Sequence, residues 1–459
     1  MLRTTTRTVL LAVLALALLA PATASAIGAD VAGYFRISTR PDFQGGDGKL
    51  GYWNLYGRLL NEGPYAALEL RLDLLEPRGT STDVWTSVHT KFEGGSVGNA
   101  EPGNGTLANI RLSELYVQAG NILIPNVTWQ LGTLDTYFGV MGLYDMWPAR
   151  LFLETVGLSG RWRHKGVEVL IGAGDSGFNI KRGQYNTILT AGGTFRVSAG
   201  KHFEFGLGGM YLYEPRVQGN VNGPHSTPGI EYEDFVRQEV VQSWVEQNPD
   251  REDYFPSPEA TSANSFKAIG YLGFGNLGPL KWNSLYANVL RGHPESRYTE
   301  TFDNDEYTIY VKELTDQRYQ FNLGNEMQMT IVPRRLDLAW GLVYGKHWDA
   351  DNTISPTDND RTFLSTVLRL QLYLTRTVHF LAEGSAAREH STQGNLYREH
   401  ADSIFENSGG LPDTEGLEYG DADIRHTYQG KFGFVLNPLG PGVFVRPSLR
   451  IMYGFQYSN

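Results

Sequence analysis

The chain has no cysteine in 459 residues, so no disulfide can staple it, and an exported protein of this size must hold together by extensive strand pairing or by an environment that enforces it. It also lacks any run apolar enough to cross a membrane as a helix. The longest run, VLLAVLALALLA near the start, is about a dozen residues against the roughly 20 that a helical span needs. Positive charge is in deficit: 39 Lys and Arg stand against 50 Asp and Glu, a net charge of −11, which argues against nucleic-acid binding as a main role. No composition break or proline-rich linker divides the chain. Abundance points the other way, because 53 glycines, 25 tyrosines, 22 phenylalanines and 9 tryptophans favour strands, tight turns and interfacial aromatics.

The one apolar run has a destination of its own. Arg3 and Arg7 precede it, and PATASA follows with Ala24-Ser25-Ala26 as a small-residue cleavage site. Residues 1–26 therefore read as a secretory signal peptide cut before Ile27, leaving 27–459 as a single exported all-β domain.

Alternation recurs through that domain. In ALELRLDLL, Leu68, Leu70, Leu72 and Leu74 share one parity while Glu69, Arg71 and Asp73 share the other. LDLAWGLVY sets Leu336, Leu338, Trp340, Leu342 and Tyr344 against polar or small residues. TFLSTVLRLQLYL sets Leu364, Leu368, Leu370, Leu372 and Leu374 against Ser365, Arg369 and Gln371. FEFGLG and VTWQLGT repeat the pattern. Connections fall into two classes that take turns. Short ones are 198–202, 276–279, 332–334, 374–376 and 437–442; long ones are 93–108, 137–157, 214–264, 292–316, 348–360 and 389–423. Segments of about ten residues with a dyad period and segregated loop lengths are the signature of outer-membrane strands. The reading is a transmembrane antiparallel β-barrel of 16 to 18 strands, with short periplasmic turns and long external loops. Its leucines meet outer-membrane lipid and its charges meet water in a lumen, in a Gram-negative-type bacterium.

Several loops invite chemistry. Residues 137–157 are oddly apolar, with Met141, Tyr144, Trp147, Leu151 and Phe152, and are expected to fold into the barrel and narrow it, the alternative being that they pack against a neighbouring subunit. GIEYEDFVRQEVVQSWVEQ (229–247) spaces Phe235, Val236, Val240, Trp244 and Val245 for a short external helix. The acids of WDADNTISPTDND match no EF-hand spacing, so they read as a solvated loop and no metal site is assigned. GGSVG (94–98) fits the G-x-S-x-G pattern but leads into NAEPGNG instead of a helix. His390 and His400 share one long loop with acids nearby; a hydrolase would need them to converge with a nucleophile, and the solvated-loop reading is preferred.

AGYFR (32–36), GRLLNEGPYAALEL (57–70), SELYVQAGN (113–121) with the following NVTWQLG, and VRPSLRI (445–451) resemble segments of the maltoporins, the sugar-specific porins, in the same order. The resemblance implies an 18-stranded barrel, usually a homotrimer, with an inward-folded third loop and a lumen carrying an aromatic path beside a track of charges. On that resemblance Tyr34, Tyr65 and Phe444 match the aromatic path, the last in place of a tryptophan, and Arg36 and Arg58 match the track. Tyr144 takes the constriction tyrosine's place by loop position. Parity agrees: Tyr34 shares a face with Arg36, Tyr65 with Glu69 and Arg71, and Phe444 with Arg446 and Arg450. The candidate substrate-binding set is thus Tyr34, Tyr65, Phe444, Arg36, Arg58, Glu69, Arg71 and Tyr144. A pyranose has apolar C–H faces and a polar rim, so aromatic planes platform it while guanidinium and carboxylate groups bond its hydroxyls.

The chain also departs from the family. An acid after the second path tyrosine is replaced by Ala67, a track arginine by Ser113, and the tryptophan lent by a neighbouring subunit has no match in 93–108. Maltoporins also continue into one more strand where this chain ends at Asn459. The expectation is passive, saturable diffusion of sugars or oligosaccharides with no catalysis and no cofactor; the alternative is a general or anion-preferring porin in which lumen arginines such as Arg71, Arg369 and Arg450 set a field.

Overall fold

The computed structural model describes residues 28–36, 55, 57–59, 65–76, 83–95, 111–176, 188–215, 262–291, 319–348, 361–391 and 424–458, with short pieces at 217–218, 242, 246, 256–257, 259–260, 297–302 and 305–311. The signal segment, the acidic loop 348–360 beyond Trp348, and His400 lie outside the described residues. Of the helix expected over 229–247 only Gln242 and Glu246 are described, and both are helical.

One 17-stranded sheet dominates. Its strands are β1 (Gly28–Arg36), β2 (Tyr65–Leu75), β3 (Trp85–Gly95), β4 (Arg111–Gly120), β5 (Val127–Tyr137) and β6 (Arg150–His164). β7 (Val167–Asp175), β8 (Leu189–Ala199), β9 (Phe203–Glu214), β10 (Ala263–Leu277), β11 (Leu280–Arg291) and β12 (Tyr319–Val332) continue it. β13 (Leu336–Trp348), β14 (Arg361–Tyr373), β15 (Val378–Ser391), β16 (Ile424–Leu436) and β17 (Leu449–Ser458) complete it. Every strand pairs antiparallel with the next, so the sheet is one continuous meander. β1 and β17 are its edges, and because their number in the meander is odd they run in the same direction. Closure, which would remove both edges, is therefore not seen among the described pairings.

Period-two alternation gives the sheet its two faces. On β14, Leu364, Leu368, Leu370 and Leu372 are exposed, whereas Ser365, Val367, Arg369 and Gln371 are buried. β17 repeats this with Leu449, Ile451, Tyr453, Phe455 and Tyr457 exposed on one side. Alternate connections are short. Lys165 and Gly166 alone join β6 to β7, with φ of 45° and 82°, the positive pair that a two-residue hairpin turn needs to match strand twist.

Three sequence expectations shift. Strand β6 begins at Arg150, so the loop read as 137–157 is only 138–149; a register shift in β5 lets pairing resume as Thr136↔Leu151 and Tyr137↔Arg150. Strand β2 begins at Tyr65, which leaves Arg58 off the wall. The last strand starts at Leu449, because Pro441 and Pro447 remove ladder donors from 437–448, and so Phe444 is not placed by strand parity.

The two faces can be told apart by experiment. Leu368→Arg, in mid-β14 on the apolar face, should cost about 2–4 kcal/mol of folding stability in lipid vesicles. Ala32→Arg, on the opposite face of β1, should be near neutral in the same denaturant titration of tryptophan fluorescence; equal losses would overturn the assignment of faces.

Candidate functional site

The inner face is not uniformly open, and the loop 138–149 is the reason. Phe138 N–H donates to the Ala149 carbonyl and Met141 pairs with Met146, which makes the loop a narrow tongue. The tongue crosses the interior to the opposite wall. Glu326 on β12 accepts the backbone N–H groups of Gly142 and Leu143, both at 2.8 Å. Asn288 on β11 donates to the Pro148 carbonyl at 2.7 Å, and the Tyr286 hydroxyl donates to the Val140 carbonyl at 3.3 Å. Wall glycines make the room: a Cβ on Gly341 would stand 2.7 Å from the Tyr144 ring, and one on Gly324 2.5 Å from the Met141 sulfur.

Burial is then complete around the tongue. Met141, Leu143, Tyr144, Ala149, Leu151 and Phe152 join Ala339, Val343 and Val367 in one apolar cluster. The tongue is stabilised here by roughly the cost of exposing its own Met141 and Leu143, about 1.5–3 kcal/mol each. Burial also raises the Tyr144 pKa, so its hydroxyl remains a donor, to the carbonyls of Gly341 at 3.2 Å and Ser365 at 3.1 Å.

A second segment enters the same space. Leu55, Gly57, Arg58 and Leu59, from the connection between β1 and β2, are buried inside the sheet. Ser365 donates its hydroxyl to the Leu55 carbonyl, Lys431 its ammonium to the Gly57 carbonyl at 3.1 Å, and Arg58 its N–H to the Leu143 carbonyl at 2.8 Å. The Arg58 guanidinium lies 2.9 Å from Asp145 in the tongue. Behind them Glu383 sits between Arg369 at 2.6 Å and Lys431 at 3.4 Å, all three almost fully buried. A third piece comes from the short-turn side, where Phe444 packs near Gly142, its ring 6.1 Å from Trp282 and 5.9 Å from the Arg369 guanidinium. Tongue, segment and turn together fill the interior along β11–β16.

The wall of β1–β4 stays wet. Its inward residues form ladders: Arg36 opposite Tyr65, Tyr34 opposite Ala67 and Glu93, Ala32 opposite Glu69, Lys91 and Glu114, and Asp30 opposite Arg71, His89 and Tyr116. The Tyr34 and Tyr65 rings are 5.8 Å apart, tilted by 46°. Arg36 stands 5.8 Å over Tyr65 and Arg446 4.6 Å over Tyr34, while the Tyr65 hydroxyl donates to Glu93 at 3.0 Å. Below them is a recess of about 240 Å³ lined by Asp30, Glu69, Arg71, His89, Lys91, Glu114 and Tyr116.

The eight sequence candidates thus separate. Tyr34, Tyr65, Arg36, Glu69 and Arg71 gather on one wet wall. Arg58 and Tyr144 are locked in the packed half, Tyr144 with no exposed surface, and Phe444 is half-buried against the tongue. Their positions there are set by burial and hydrogen bonding, not by access to a solute. Sequence reasoning missed Glu326, Asp30, His89, Lys91, Glu114, Tyr116 and Arg446. The parity of Glu69 and Arg71 pointed to their neighbours on β3 and β4; nothing in the one-dimensional pattern pairs Glu326 with a loop 183 residues away. Among the described residues no group of three or more His, Asp and Glu side chains is placed to hold a metal ion.

No protein-family model matches this chain, and no curated protein matches it. Solved structures similar to it are outer-membrane proteins and porins. OmpT of Vibrio cholerae is 9% identical over 89% of this chain and 94% of its own, with a TM-score of 0.36. OprB of Pseudomonas putida is 10% identical over 74% of this chain and 86% of its own, with a TM-score of 0.39. An anion-selective porin from Comamonas acidovorans is 10% identical over 79% and 90%, with a TM-score of 0.36. All three scores lie below 0.5.

Removing the carboxylate that holds the tongue tests its anchoring. Glu326→Ala leaves two buried N–H groups without their acceptor, at about 1–3 kcal/mol each. The expected result is a lower denaturant midpoint together with larger or noisier single-channel current; an unchanged current trace would mean that apolar packing alone fixes the tongue.

Proposed function

We propose that the chain is an outer-membrane channel for the passive, saturable diffusion of sugars or oligosaccharides, without catalysis or cofactor. The observation that carries this reading is the aromatic pair Tyr34 and Tyr65 on the wet wall, 5.8 Å apart and flanked by Arg36, Arg446 and Glu93. Two rings offer apolar platforms to C–H faces, and the flanking groups supply donors and acceptors for hydroxyls. The packed half of the interior confines a solute to that wall, so contact is not optional. Each contact stays weak, which transport requires.

A general or anion-preferring porin, with lumen arginines such as Arg71, Arg369 and Arg450, is the alternative reading. Arg71 lies 2.8 Å from Asp73, Arg196 2.5 Å from Glu204, and Arg369 2.6 Å from Glu383, so these guanidinium charges are matched at source. The exposed leucine and aromatic face fits outer-membrane lipid, and a homotrimer, implied by the resemblance to maltoporins, belongs to the same proposal.

Current through the purified protein in a planar bilayer, titrated with linear maltodextrins and unrelated sugars, tests it. Saturable block is expected, and Tyr34→Ala or Tyr65→Ala should weaken it about three- to tenfold while conductance stays similar or rises, as loss of one aromatic contact implies. Sugar block of equal affinity in both variants would remove the aromatic pair from the site. Steady current with no block by any sugar would replace the proposal with a general porin.

A further inference from the structure

Charge on the wet wall is not evenly committed. Around the recess, Lys91 is held by Glu114 at 3.1 Å and Glu93 at 3.5 Å, and Arg71 by Asp73 at 2.8 Å. Both cations therefore have carboxylate partners of their own. Asp30 and Glu69 are exposed, and among the described residues neither is joined to a cation by an ion pair. They stand on adjacent strands in diagonal register, since Asp30 faces Arg71 and Ala32 faces Glu69, a separation of about 7–8 Å that one small solute bridges.

Two aromatic rings line the same recess from the neighbouring strands β3 and β4. His89 and Tyr116 stack with centroids 4.6 Å apart and planes within 14°, and the His89 Nε2 lies 3.0 Å from the Ser87 hydroxyl, which fixes the ring. Two uncommitted carboxylates beside a fixed aromatic ring, in a recess of about 240 Å³, have the chemistry of a site for an ammonium group carried on a ring with apolar faces. A neutral sugar uses the aromatic ring but not the charge. An anionic sugar is repelled by both carboxylates.

Resting on the sugar-channel reading above and narrowing it, we infer that this recess selects sugars bearing a protonated amine. The solute docks its ammonium between Asp30 and Glu69 and lays its ring against the face of His89 that Tyr116 leaves uncovered. Arg71 and Lys91, each neutralised by its own acid, set the recess walls without repelling the guest.

Bilayer current with glucosamine and glucose as paired probes decides the matter, because the two differ at one ring substituent. Glucosamine should block about tenfold more tightly than glucose, the worth of one charge-assisted hydrogen bond. Asp30→Asn and Glu69→Gln should each bring that ratio toward one, with ion conductance reporting assembly of the channel. Equal block by the two probes in the parent, or a ratio unmoved in both variants, would overturn the recess while leaving the sugar channel standing. Block by glucosamine alone, abolished in the variants, would support the recess and remove the neutral-sugar reading. Block by neither would overturn both.

Discussion

A strand that crosses hydrocarbon must satisfy every backbone amide from its neighbours, because no water is there to do it. Among the described residues the main sheet is one antiparallel meander, and its side chains alternate between an apolar and a polar face. Leucines on β14 and aromatics on β17 face outward for no local reason; each is outward because the residues on either side of it are inward. It also explains how the fold dispenses with cysteine. A continuous ladder of cross-strand hydrogen bonds holds the wall, and a disulfide would add little to it.

An interior wide enough for a meander of this size would be an open duct if the wall acted alone. The tongue 138–149 changes that, and Glu326 is the point where tongue and wall become one structure. A carboxylate is expensive to bury, and it is tolerated because it replaces water for two backbone donors that have no other acceptor. The glycines opposite it are the other half of the device: Gly324 and Gly341 are inward positions where any side chain would hold the tongue off. Once the tongue is seated, the 55–59 segment has a surface to pack on, and Arg58 reaches Asp145 to join the two. The order of dependence is wall, then Glu326, then tongue, then segment.

What the sequence made legible follows this order. Parity is written in consecutive residues, so the faces of β2, β13 and β14 could be read from ALELRLDLL, LDLAWGLVY and TFLSTVLRLQLYL directly. An apolar loop announced itself by its composition, and its inward fold followed from the cost of wetting Met141 and Phe152. Its length did not, because the shift that restarts pairing at Thr136↔Leu151 depends on how β5 and β6 meet. Arg58 looked like a wall residue because GRLLNEGPYAALEL reads as one segment. In the structure strand β2 is described from Tyr65, and Arg58 is buried against the tongue, a contact that no local pattern displays. Phe444 reached the interior for a reason other than parity, through a turn that folds inward instead of through a strand.

The two halves of the interior handle charge in opposite ways, and the contrast bears on transport. Along β14–β16 Arg369, Glu383 and Lys431 are sealed together, and a buried set of this kind is held by its own partners and offers nothing to a passing solute. Along β1–β4 the charges are just as dense but only part-buried, and among the described residues Asp30 and Glu69 are joined to no cation by an ion pair. On the proposed sugar-channel reading, interaction with a solute concentrates on one wall: aromatic pair first, then the acid and base ladders beneath it. On that reading a polar molecule passing the wall exchanges one set of weak bonds for the next, and its path is set by which groups engage it in turn.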